Sequence, residues 1–576
     1  MILQALTQYY EDLLARGEVA RPGWTKARVS WGLELAPDGR LLAVVPLQTE
    51  QVRGKKTVLA PQMLPVPEQV KRSSGVAANF LCDNSSYLLG NDAKGKPARS
   101  RQCFEAAKTL HLELLQDAVE TPAAAVCRFF ETWQPDQAGS HAALVRDLNE
   151  ILKGGNLVFL VDGGFVQDDP EVQRIWQQRR EQARDEAPIR CLVTGQQAPL
   201  ARLHPSIMGV AGAQSSGASL VSFNADAFCS YGHEQGANAP VGTYAAYAYT
   251  QALNHLLADR EHVQHMGDTT VVCWAQGADP AYQNAGMSAM FLDDHWTESD
   301  LRGAIARLAQ GRPAAWQNVT LEPDTHFYVL GVAPNAARLS VRFFWQDSFA
   351  VLARRVQRHY EQLDIAGPAN DLHFPPSLYW LTWETVNRNA RTPSIAPQLV
   401  GDVLRAVLDG TPYPATLLNG TTLRIRAEQT VTRGRAAILK AYYLRRPTPD
   451  CPEEVLTVQL NEESRYAPYV LGRLFAMLES VQTAANPNIN TTIKDRYFNS
   501  ACATPAVVFP TLIKLAQKHL QKLNDAQRVW FDRQIAALME RLDQPFPARM
   551  NLPEQGAFEL GYYHQRQKNF TRKQEG

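Results

Sequence analysis

Long hydrophobic runs are missing from this sequence. No stretch approaches the ~18 uninterrupted apolar residues that a membrane-spanning helix requires. The opening MILQALTQYYEDLLARG is not expected to be a signal peptide, because it sets Glu11 and Asp12 among its apolar positions and has neither a basic start nor a small-residue cleavage site. It predicts an amphipathic helix and a cytoplasmic protein. The eight cysteines are scattered, with no pair at C-x-x-C spacing, which argues against a zinc or redox site and for buried free thiols. No internal repeat and no low-complexity tract interrupts the chain.

Net charge is also absent, since 58 Lys and Arg balance 58 Asp and Glu. The balance conceals local excess. Between positions 51 and 102 nine basic residues meet three acidic ones, and between 420 and 446 seven basic residues meet Glu428 alone. From 461 to the end fifteen basic residues stand against eleven acidic ones. Clustered Lys and Arg interleaved with Gly and aromatics suit contact with phosphates, and they suit a solvated basic face equally well.

What is present is the composition of a globular protein, with 45% hydrophobic and 20% charged residues. A chain of 576 residues exceeds what one core organises, so two or three domains are expected. After the first helix, alternation from 29 to 47 around Pro37-Asp38-Gly39 predicts a β-hairpin. Further β-rich runs lie at 157–161, 189–193, 327–332 and 339–345, between helical patterns such as 243–257 and 348–363. This mixture predicts an α+β fold, a mixed α/β body over 1–455. Prolines at 447, 449 and 452 mark a boundary. Beyond it Val470, Leu471, Leu474, Phe475, Leu478 and Val481 follow helical spacing, Thr504-Pro505 opens another helix, and a third runs from Asp525 to Leu542. A helical bundle is therefore expected over 456–576.

Three motifs bear on chemistry. The run from Gly90 to Pro97, GNDAKGKP, matches the phosphate-loop template until Pro97 replaces the Ser or Thr that ligates magnesium, so nucleotide hydrolysis is not expected. A basic loop lying along a phosphate backbone fits better. Asp293, Asp294 and His295 lack partners at ligand spacing, and His204 and His233 have only Asp226 and Glu234 nearby, which leaves a metal-dependent nuclease poorly supported. The segment 194–242 is rich in Gly, Ser, Gln and Asn with little charge. Glycines allow close backbone approach and amides can read base edges, although a turned core loop would have the same composition.

Several segments carry a family resemblance: NFLCDNSSYLLG from Asn79, HPSIMGVAGAQSSGASLVSFN, SYGHEQGANAPV, FYVLGVAPNAARLSVRFFW, LGRLFAMLESVQTAANPNINTTIKDRYFNSACATPAVVFP and LPEQGAFELGYYHQRQ. Colinear over nearly the whole chain, they resemble the large subunit of the type I-C CRISPR surveillance complex, Cascade. The resemblance implies a non-catalytic subunit without metal or cofactor. Its implied partners are guide RNA with backbone and guide-processing subunits, target duplex DNA, and a helicase-nuclease recruited after R-loop formation. It further implies that the subunit recognises the protospacer-adjacent motif in duplex DNA and starts its unwinding. Minor-groove reading favours uncharged donors, which makes Asn79, Asn84, Gln214, Ser215, Ser216, Gln235 and Asn238 the candidate motif contacts or wedge. Lys55, Lys56, Lys71 and Arg72 are the candidate phosphate grips, and Arg433, Arg435, Arg496 and Arg566 candidate contacts to the displaced strand or other backbone. The helical end resembles the family's small subunit, which is translated from an internal start in the same gene. Met477 would cut the expected helix, so a non-AUG start between 448 and 470 is predicted.

Overall fold

The computed structural model describes residues 1–576 except 54–55, 71, 73–74, 94–95, 119–121, 183–187, 261, 293–298, 369–370, 372–373 and 576. It is 48% helical and 16% strand, with mixed α/β structure in the N-terminal region and a helical C-terminal region, as the α+β expectation has it. Among the described residues no helix is long and apolar enough to cross a membrane. All eight cysteines are free and six are buried.

The chain forms two compact units. The first comprises Met1–Pro205 and Val221–Leu253. Its opening helix, Ile2–Ala15, buries Leu6, Tyr10 and Leu13. The expected hairpin joins β1 (Trp24–Leu35) to β2 (Leu41–Pro46), closed by Gly39 at φ +85°, a conformation glycine adopts without Cβ strain. Strands β3 (Gln48–Arg53) and β4 (Lys56–Pro67) extend this sheet in the order β3-β4-β1-β6-β5, where β5 is Cys82–Asp83 and β6 is Asn156–Val161. A short β7 (Gly164–Phe165) returns against β6. Strand β6 pairs with β1 in parallel, and its run NLVFLV is buried at four consecutive positions, as a strand covered on both faces requires. Helices Pro97–Leu115 and Pro122–Thr132 cover the sheet: Phe129 and Phe130 meet Phe159, and Phe104 packs on Phe130.

The β-run expected at 189–193 is shorter than its composition suggests. Only β8 (Ile189–Arg190) pairs, with β9 (Gln197–Ala198). At Cys191 the chain turns back, its carbonyl accepting the Gly195 N–H at 2.8 Å and its Sγ the Val193 N–H at 3.4 Å. Gly195 at φ +72° makes the reversal.

The second unit comprises Ser206–Leu220 and Asn254–Gly576. Its antiparallel sheet has the order β10 (Gln264–Met266), β11 (Thr269–Ala275), β14 (His326–Asn335) and β15 (Arg338–Ser348), with a separate hairpin of β12 (Ala314–Trp316) and β13 (Val319–Leu321). Helix Phe349–Leu363 follows, and from Leu378 the described elements are helices. One apolar core runs from Met266 through Tyr563. The expected helices at the C-terminal end are present as Ala467–Ala485, Pro505–Leu520 and Asp525–Glu540. Helix Ala467–Ala485 packs against Leu552–Glu575 through reciprocal glycines: a Cβ on Gly472 would collide with the Phe558 carbonyl, and one on Gly561 with the Tyr469 carbonyl. Backbone contact this close leaves room for no other residue.

Candidate nucleic-acid interface

The stretch from Asn79 folds around a buried carboxylate. Asp83 is 1% exposed and accepts the backbone N–H groups of Asn79 and Asn84 at 2.9 and 2.8 Å. Arg72 completes the set with both terminal nitrogens, Nη1 at 2.9 Å from Oδ1 and Nη2 in a shorter contact with Oδ2, and its guanidinium lies 4.0 Å from the centre of the Tyr87 ring. Such a bidentate pair fixes both side chains. The two candidate amides are also engaged. Asn79 Oδ1 accepts the Val70 N–H at 2.8 Å, and Asn84 Oδ1 caps the helix Ser85–Leu88 through Ser86 N–H at 3.0 Å. Leu81, held at φ +58°, donates its N–H to His111 Nε2 at 2.9 Å. Burial pushes the His111 pKa down to about 4, so the ring is neutral and can accept there.

The glycine loop that follows is fastened as well. Gly90 abuts Pro135, Asn91 donates to the Pro135 carbonyl at 2.7 Å, and Asp92 accepts the Ser86 and Ser100 hydroxyls. Helix Pro97–Leu115 begins at Pro97 itself. Of the lysines assigned to phosphate, Lys55 and Lys71 lie outside the described residues, as does Lys94. Lys56 opens β4, and its side chain is also outside them.

In the same unit, residues 230–238 form a loop whose base is tied and whose tip is free of cover. Asn238 Oδ1 accepts the Ser230 N–H at 2.8 Å, while its Nδ2 donates to the carbonyls of His233 and Gln235 at 3.2 and 3.0 Å. His233 N–H returns to the Ser230 carbonyl at 3.0 Å, with Tyr231 and Gly232 both at positive φ, +54° and +73°. This tight turn lifts Tyr231 to 97% exposure. Gln235 is exposed beside it, and Gly236 anchors the loop through its N–H to the Arg202 carbonyl at 3.0 Å. Asn238 thus braces the loop with its whole amide. His204 packs nearby in sequence with Nδ1 2.6 Å from the Tyr249 hydroxyl, and burial lowers its pKa.

In the second unit, 206–220 is a narrow loop stitched by the Ile207–Ala218 bridge. Asn254 ties its base, accepting Met208 N–H at 2.7 Å and donating to the Ser206 carbonyl at 3.1 Å. At the tip Gly217 N–H meets the Gln214 carbonyl at 2.9 Å, and the side chains of Gln214, Ser215 and Ser216 are exposed.

The two loops therefore offer amides, hydroxyls, one aromatic ring and the Glu234 side chain to solvent, whereas the Asn79–Arg72 set is consumed internally. The family model for the CRISPR-associated protein (Cas_Csd1) matches residues 6–570. The chain belongs to that CRISPR-associated family. No curated protein matches the sequence significantly.

The four arginines assigned to strand contact in this Csd1-family chain differ among themselves. Arg435 is 1% exposed and spends its guanidinium on Glu428 at 2.6 Å, Glu384 at 3.3 Å and the Thr430 carbonyl at 2.9 Å. Arg433 holds the Ile365 carbonyl and Asp371 and lies 3.6 Å from the centre of the Phe374 ring. Arg566 is half-buried against Tyr562 and Phe570. Arg496 is exposed. Sequence reasoning passed over Tyr231, although its place between Ser230 and Gly232, at the start of the polar, glycine-rich run 230–238, carried the signal.

Proposed function

We propose that this CRISPR-associated chain is the large subunit of a type I-C surveillance complex and a non-catalytic DNA reader. It recognises the short motif beside the target in duplex DNA, starts its opening, helps hold the R-loop and helps recruit a helicase-nuclease, while guide RNA reads the target by base pairing. The observation that supports this reading best is the loop 230–238, which holds Tyr231 almost fully exposed on a turn braced by Asn238. A minor groove about 6 Å wide excludes a helix but admits a narrow loop, and its A·T and G·C pairs differ chiefly by one donor that an uncharged amide can sense. An aromatic side chain entering there can part a base step at a cost of a few kcal/mol, recovered through the contacts that the bend creates.

The small subunit of the same reading would start upstream of helix Ala467–Ala485. A start at Met477, inside that helix, would remove Gly472 and with it the close packing on Phe558. Gel shifts of the assembled complex on duplexes differing only in the adjacent motif test the principal claim. A preference for one motif is expected, together with about tenfold weaker binding to it by Tyr231→Ala, within the range of a lost base–aromatic contact. Indifference to the motif in the unaltered complex refutes the reading.

A further inference from the structure

The second unit carries a cluster of aromatic rings at its surface. In the short helix Leu378–Trp383, Tyr379 and Trp380 are 48% and 61% exposed. The Tyr379 ring centre lies 5.5 Å from that of Trp380 and 5.7 Å from that of Trp383, on which it stacks at 27°. Trp383 thereby holds the pair from behind. Trp380 also lines a cleft of about 560 Å³, large enough for a nucleobase and its sugar, whose rim includes Arg388.

Among the described residues that line the cleft, both acids are paired. Glu384 lies in the cleft, but its carboxylate is taken by Arg435 and by the Thr432 hydroxyl at 2.9 Å, and Asp371 is taken by Arg433. Arg388 lines the cleft with 58% of its side chain exposed, and Arg391, three residues further along the chain, is also exposed. Arg388 touches Glu384 only at 3.7 Å. The segment bearing them is fixed by an Asn387 turn, with Asn387 Oδ1 accepting Asn389 N–H at 3.1 Å and the Asn387 carbonyl accepting Ala390 N–H at 3.1 Å. Flat rings at the surface beside exposed guanidinium groups match the alternation of base and phosphate along a single strand. A purely apolar partner would offer no counter-charge to Arg391 and none to Arg388 beyond its long contact with Glu384.

We infer that Tyr379 and Trp380 form a stacking platform for single-stranded DNA, with Arg388 and Arg391 meeting its phosphates. The choice of DNA rests on the proposed function, because opening a duplex generates such a strand; the platform itself rests on the rings and cations.

Fluorescence anisotropy of the full chain with a labelled dodecathymidylate, and with its ribouridine counterpart, tests this. Trp380→Ala should weaken thymidylate binding about five- to hundredfold, the range of one lost base–aromatic contact, and Trp380→Phe should restore most of it. Arg388→Gln and Arg391→Gln should each flatten the log–log salt dependence by about 0.7, the slope per phosphate on a single strand. Trp380 is exposed, so its thermal midpoint should be unchanged, which excludes misfolding as the cause. Unaltered thymidylate binding in Trp380→Ala overturns the platform, as does a loss confined to the ribouridine strand. Loss of a protein partner from the assembled complex with thymidylate binding intact overturns it in favour of a docking face. Tyr231→Ala, measured on duplex in parallel, keeps the two claims separate: if it still weakens motif binding while Trp380→Ala does nothing, the platform falls and the reader stands.

Discussion

Residues 72–92 and residues 230–238 are built from the same parts and end up as opposites. Each has an asparagine whose amide satisfies the turn, a tyrosine, and glycine at positive φ. In the first, Tyr87 is 5% exposed beneath the Arg72 guanidinium, whereas Tyr231 is 97% exposed. The difference lies in the apolar neighbours. Phe80, Leu81, Leu88 and Leu89 bury the first stretch and carry its polar groups inside, where each must find a partner. Loop 230–238 has no such residues, so its backbone is tied by one side chain and its ring is left to solvent. Asparagine and arginine in a sequence therefore mark an interface only where the adjoining residues do not bury them.

The largest expected effect lies in the interior network. Asp83→Ala removes the acceptor for two backbone N–H groups and leaves the Arg72 guanidinium half-buried without its partner, a type of loss that costs about 3 kcal/mol. Urea unfolding of the variant should show a lower midpoint with an unchanged slope. An unaltered midpoint would break the comparison, because the network would then be no more committed than the open loop.

That contrast also explains what could be read from the sequence. The hairpin at 29–47, strand β6, the strands at 326–348 and the C-terminal helices were legible because periodicity and turn residues act locally. For Gln214, Ser215 and Ser216 the glycines and small polar residues left a base-reading loop and a turned core loop equally open, and only the fold leaves these side chains exposed. The burial of Arg435 and the pairing of Arg72 were not legible, because their partners Glu384, Glu428 and Asp83 are assigned by tertiary contact. An excess of six positive charges over 420–446 thus includes an arginine that no external phosphate can reach. Tyr379 and Trp380 were missed for the converse reason, since a run of aromatics reads as core until the fold leaves it uncovered.

A smaller effect comes from an interior acid that has not found full compensation. Glu559 is 2% exposed, and burial, opposed by the Arg426 charge, pushes its pKa up to about 8; Cys502 and Tyr443 are its other titratable neighbours. A raised folded-state pKa means that the native state holds the proton more tightly than the unfolded chain. Stability from this group is full below about pH 4.5 and declines as pH rises toward 8. Glu559→Gln should flatten that decline and raise the unfolding midpoint at pH 8. A steeper dependence in the variant would show that the carboxylate is instead stabilised as an anion.

The smallest change in stability belongs to the neutral tip in the second unit. Gln214 is exposed, and its backbone carbonyl rather than its side chain closes the turn onto Gly217. Gln214→Ala should therefore leave the unfolding midpoint within about 0.5 kcal/mol, as exposed substitutions usually do. Discrimination between duplexes differing in the adjacent motif should nevertheless fall by about 1 kcal/mol, roughly fivefold, the lower end for one lost base-edge contact. Equal weakening on every duplex would assign Gln214 to sugar or phosphate, and motif reading would then have to reside in the loop that carries Tyr231 and Gln235.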